Sequence, residues 1–77
     1  MLEQIRLQKL NAFIEKAIGY GGLLKMDAVA LQSEKYNHLT TADKIKWLEK
    51  ACNNAVYSGQ YEVIELEKEI QETYLFQ

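Results

Sequence analysis

Residues 40–77, TTADKIKWLEKACNNAVYSGQYEVIELEKEIQETYLFQ, decide the fold. Thr40-Thr41-Ala42-Asp43 is a helix start, in which a threonine hydroxyl can accept from an early backbone N–H and Asp43 falls in the positive first turn. Ile45, Leu48, Cys52 and Ala55 follow at i, i+3, i+7 and i+10, one face of a helix. Ser58-Gly59 ends it. Val63, Leu66 and Ile70 then repeat the helical spacing, and so short a connection forces the two helices into an antiparallel hairpin.

Toward the N-terminus, Leu7, Leu10, Ile14 and Ala17 keep a/d spacing within 2–18, with Ile5, Phe13 and Ile18 widening the face. Gly19 opens the cluster Gly19-Tyr20-Gly21-Gly22 just past the last periodic residue, where a left-handed helix stop is predicted. A second helix is predicted over 23–37, with Leu24, Ala28 and Leu31 on one side and Tyr36 and Leu39 near its end. Proline is absent, so only glycine or capping chemistry can interrupt a helix. No strand-like alternation competes. The chain therefore reads as a single all-α domain over 1–77, a small bundle of three to four short antiparallel amphipathic helices. Its core should draw on Leu7, Leu10, Phe13, Ile14, Leu24, Leu31, Ile45, Leu48, Cys52, Val63, Leu66 and Ile70.

Hydrophobic content of 48% and charge of 26% lie in the globular range and away from disordered compositions. A 77-residue chain buries only roughly 60% of its unfolded surface, so dimerisation or a partner would add stability. A net charge of −2 gives no field toward nucleic acid or acidic membranes. The charge is uneven, however. Arg6, Lys9, Lys16 and Lys25 outweigh Glu3 and Glu15 at one end, while Glu62, Glu65, Glu67, Glu69 and Glu72 face Lys68 alone at the other, so contact between the ends is favourable. Cys52 is the only cysteine, which fits a reducing, cytoplasmic location, and neither a signal peptide nor a membrane span is legible. Arg6 is the only arginine among nine basic residues, a bias that fits an AT-rich coding sequence such as that of a low-GC bacterium or a phage.

The run Ala55-Val56-Tyr57-Ser58-Gly59-Gln60-Tyr61-Glu62-Val63-Ile64-Glu65-Leu66 resembles the helix-turn-helix hairpin of an ankyrin repeat, a small-residue helix ending in a glycine turn before a Glu-Val-Val-like run. The Thr-Pro-Leu-His start is missing and no second copy follows, so the likeness is one of hairpin chemistry. No period of 20–50 residues repeats, which excludes a solenoid.

Enzyme chemistry is poorly supplied. Cys52 lies on an apolar stripe, and His38 precedes it across a helix start, so no nucleophile and base are paired. One histidine and one cysteine do not close a zinc site, and no metal or cofactor is predicted. The glycine cluster has Leu24 where a dinucleotide fingerprint needs its third glycine, and no Lys-Ser or Lys-Thr completes a P-loop. Read as a helix-turn-helix, the second and third helices would bring Lys44, Lys46 and Lys50 to phosphates, giving a dimeric DNA-binding repressor as the alternative function. Asp43, Glu49 and the acidic balance of the chain argue against nucleic acid.

Glu62, Glu65, Glu69 and Glu72 recur at helical spacing beside the apolar stripe of the last helix, offset by about a quarter turn. They can be a solvated face, a face toward Lys46 and Lys50 of the third helix, or a docking face for a basic groove on another protein. Tyr74 and Phe76 add terminal aromatic anchors, and Trp47 is predicted beside Tyr57 or Tyr61. The favoured reading is a cytoplasmic regulator, inhibitor or adaptor that binds a protein through Glu62, Glu65, Glu69, Glu72, Tyr74 and Phe76. Its companion is a homodimer built on the wide apolar face of the first helix.

Overall fold

Glycines and short hydrogen bonds near the turns set several of the helix limits. The computed structural model describes residues 2–74, with side chains described for 3–73. Among these residues the chain forms α1 (Leu2–Tyr20), α2 (Gly22–Leu31), α3 (Thr41–Tyr57) and α4 (Ile64–Tyr74), with 3₁₀ turns at Glu34–Tyr36 and Tyr61–Val63. The Thr40 hydroxyl accepts from the Asp43 N–H at 3.1 Å, so α3 starts where its threonine pair predicts. At its other end, Gly59 N–H donates to the Val56 carbonyl (3.0 Å) and Gln60 N–H to the Ala55 carbonyl (2.9 Å). This is the paired closure of a Schellman motif, and Gly59 supplies the positive φ of 105° that it demands.

Three sequence expectations shift. Gly19 does not stop α1. The helix runs on to Tyr20, and the break falls at Gly21 and Gly22, whose φ values are 74° and 62°. The second helix ends at Leu31 and not near 37, because the Ser33 hydroxyl donates to the Ala30 carbonyl at 2.7 Å and Ser33 itself turns extended. A serine that bonds the preceding turn competes with helix continuation. The last helix does not begin directly after Gly59, since a 3₁₀ turn intervenes, and Glu62 sits in that turn.

The core comprises Leu10, Phe13, Ile14 and Ala17 of α1, Leu24, Ala28 and Leu31 of α2, Ile45, Leu48, Ala51, Cys52 and Ala55 of α3, and Val63, Leu66 and Ile70 from the last segment. The alanines of α1, α2 and α3 let helix backbones approach closely around the larger leucines. Leu7 is the exception to the expected core, at 48% exposed. α1 has 19 residues and its antiparallel neighbour α2 only 10, so at about 1.5 Å per residue the first turns of α1 overhang. Every side chain from Glu3 to Lys9 is exposed.

The two hairpins, α1–α2 and α3–α4, are pinned at their turns by one side chain. The Gln60 amide nitrogen donates to the carbonyl of Tyr20 (3.2 Å) at the end of α1 and to that of Gly21 (2.9 Å), which also accepts the Lys25 N–H at the start of α2. Gly22 lies against the same amide, and a Cβ there would stand 3.0 Å from Gln60 Oε1.

Candidate functional site

The acidic residues of the last segment divide into three environments. Glu69 turns toward α1 and meets Lys16 Nζ through both carboxylate oxygens, at 2.8 and 2.9 Å, the only ion pair among the described residues. The lysine partner thus comes from α1, and the expectation that Lys46 or Lys50 of α3 would face the stripe fails. The charge imbalance between the two ends of the chain did signal this contact. Glu67, outside the stripe, leans instead toward α3, where burial and then the nearby Glu49 carboxylate raise its pKa above the usual 4.5. Gln71 donates to Glu49 on that side at 3.4 Å. Glu62, Glu65 and Glu72 stay exposed.

Two large side chains that sequence reasoning did not assign to the acidic face stand on it. Tyr61 and Ile64, three residues apart, share a helical row with Glu65, Lys68 and Glu72, and both rings and branches are open to solvent. Their signal is the i, i+3, i+4, i+7 spacing of Tyr61, Ile64, Glu65 and Lys68, which the sequence reading passed over in favour of the terminal aromatics. Of the anchors named from sequence, the Tyr74 side chain and all of Phe76 lie outside the described residues.

A second surface forms around Trp47, which is 50% exposed on α3. Its ring lies 6.1 Å from that of Tyr36, tilted by 55°, with Lys35 Nζ 5.8 Å from the Tyr36 centroid. The expected neighbour Tyr61 is not among the residues around it. A groove of about 520 Å³ runs from this pair past Asn53 and Asn54 to Tyr57, with Asp27 and Lys50 on its rim. On the other side of Trp47, Asp43, Lys46 and Glu49 edge a shallower depression of about 440 Å³. The lysines proposed for phosphate contact are thus interleaved with carboxylates. The segment 32–40 between α2 and α3 is also longer than the turn of roughly three to four residues in a helix-turn-helix.

Cys52 is fully buried, and burial, then Glu67 and Glu49, push its thiol up to about 12. At neutral pH it carries no thiolate, the form that attacks or ligates. His38 is exposed in the turn ahead of α3, so the two do not share a surface. Among the described residues no three His, Cys, Asp or Glu side chains group as a metal site, and no helix is long and apolar enough to cross a membrane. No protein-family model, curated protein or solved structure matches the chain.

Proposed function

We propose that this small helical domain is a protein-binding module, a regulator, inhibitor or adaptor without chemistry of its own, that docks a basic groove on another protein through the outer side of α4. The observation that supports this reading is the exposed row of Tyr61, Ile64, Glu65, Lys68 and Glu72 with Glu62 beside it, in which carboxylates outnumber the one lysine. Apolar anchors ringed by carboxylates combine the two elements of a selective interface: buried area at the centre, charge that steers and discriminates at the rim. Like charges at i, i+3 and i+4 oppose an isolated helix by roughly 0.2–0.5 kcal/mol per pair, a cost that a cationic partner removes. Glu69 has a smaller part than the sequence suggests, because Lys16 already holds it. A reducing cytoplasm suits the free, buried Cys52.

The test is affinity capture from a nuclease-treated host lysate with the wild type and a Glu62→Lys, Glu65→Lys variant side by side. These positions leave the Lys16 pair untouched, so helicity by circular dichroism should not change. A stoichiometric protein retained by the wild type and lost by the variant supports the reading. Equal retention by both overturns the acidic face, and nucleic acid held when nuclease is omitted would favour a repressor acting through Lys44, Lys46 and Lys50.

A further inference from the structure

The outer side of α2 carries no charge. Leu24, Ala28 and Leu31 are buried, yet Leu23, Met26 and Val29 on the opposite side are 53%, 68% and 47% exposed. At about 100° per residue, Met26 lies at the centre of this outer arc, with Leu23 and Val29 about 60° to either side. Gly22 and Ala30 fill the remainder. α2 is thus apolar on two opposite sides, divided by Lys25 and Asp27, and has an interior on one of them only. The wide apolar face that the sequence places on α1 persists in Ile5 and Leu7, both half exposed, but Glu3, Arg6 and Lys9 are exposed among them, whereas no charge interrupts the outer arc of α2.

The edges of the arc indicate what covers it. Lys25 and Asp27 lie about 100° to either side of Met26, one positive edge and one negative. Asp27 borders the groove toward α3, and among the described residues it forms no ion pair. A patch that is neutral at its centre and oppositely charged at its margins complements a copy of itself. If two such helices lie parallel about a two-fold axis running along them, the lysine edge of one meets the aspartate edge of the other. An antiparallel pairing sets lysine against lysine and aspartate against aspartate. A basic partner finds no carboxylate row here, and an acidic one no cluster of lysines.

We infer that α2 is a homodimer face, on which Leu23, Met26 and Val29 of two copies pack about a two-fold axis parallel to the helix, with Lys25 of each copy beside Asp27 of the other. This interface is independent of the acidic face of α4, and a dimer would present that face twice.

Sedimentation equilibrium of the full chain across micromolar to millimolar concentration tests it. The wild type should show a reversible monomer–dimer equilibrium. Met26→Asp and, separately, Val29→Lys change solvent-exposed positions, so each should keep its helical circular dichroism while weakening the dimer by about 100-fold or more, as a charge is driven into an apolar contact. Lys25→Asp, which makes both edges acidic, should weaken it about two- to fivefold, and the exchange Lys25→Asp with Asp27→Lys should restore it. A wild type that is monomeric throughout overturns the inference. So does a dimer indifferent to both Met26→Asp and Val29→Lys, and a dimer unchanged by Lys25→Asp overturns the parallel alignment.

Discussion

α2 and α4 are almost equal in length, 10 and 11 residues, and each closes a hairpin by pressing one stripe into the same core. They turn opposite chemistries outward. α4 presents glutamates broken by Ile64, whereas α2 presents Leu23, Met26 and Val29 without a charge among them. The inward stripes are explained alike by burial within the chain, and the outward ones are not explained by it at all. What a short helix shows to solvent is set by what it meets there, so two helices that are equivalent in the fold need not be equivalent in use.

The inward equivalence can be tested most severely. Leu24 and Leu66 are both fully buried, and Leu24→Ala or Leu66→Ala should each cost about 2–5 kcal/mol in urea denaturation of the monomer. A cost below about 1 kcal/mol at either position would mean that its helix is docked far more loosely than the other.

A smaller effect separates the two helices by pH. The Glu67 pKa is raised in the folded chain, so the folded state holds that proton more tightly than the unfolded one. Its contribution to stability is present below the unfolded value of 4.5 and is lost as pH rises through the raised value. Glu67→Gln should therefore be more stable than the wild type at pH 7 and nearly equal to it at pH 3.5, by parallel denaturation at the two values. Equal stability at pH 7 would remove Glu49 and burial as a cost at this contact.

The least effect is expected on the outward sides when each is studied as a monomer. Val29→Lys on α2 and Glu65→Gln on α4 should each change monomer stability by no more than about 0.5 kcal/mol. A larger loss in either would show that its outward side is already engaged within the chain.

The features legible in the sequence are those whose causes are local. Thr40 and Asp43 begin α3, Gly59 ends it, and the 3.6-residue period of Ile45, Leu48, Cys52, Val63, Leu66 and Ile70 marks the faces that are in fact buried. Where the cause lay in another part of the chain, the reading drifted. Leu7 has the right spacing for a core residue, but its burial depends on the length of α2, which ends early because Ser33 bonds back to Ala30. Trp47 was paired with the tyrosines nearest in the hairpin, whereas its ring partner Tyr36 comes from the 3₁₀ turn that replaces the end of the expected second helix. The opposed charges of the two termini did foreshadow Lys16 beside Glu69, although which glutamate would be taken depends on helix register. Tyr61 and Ile64 were passed over because the anchor role went to Tyr74 and Phe76, although their spacing with Glu65 and Lys68 was legible.

Gln60 has a consequence for the order in which the molecule comes apart. Its amide fastens the turn between α3 and α4 to the turn between α1 and α2, so both hairpin tips are held at one end of the bundle. At the opposite end lie the exposed first turns of α1 and the crossing segment 32–40, and no side-chain hydrogen bond among the described residues joins the two hairpins there. Local opening starts where buried contacts are fewest and backbone is most exposed. Amide hydrogens of Gln32 to Thr40 and of the first turns of α1 would then exchange with solvent early, and those around Ile18 to Gly21 and Ala55 to Gln60 late. The bundle frays from the end away from Gln60.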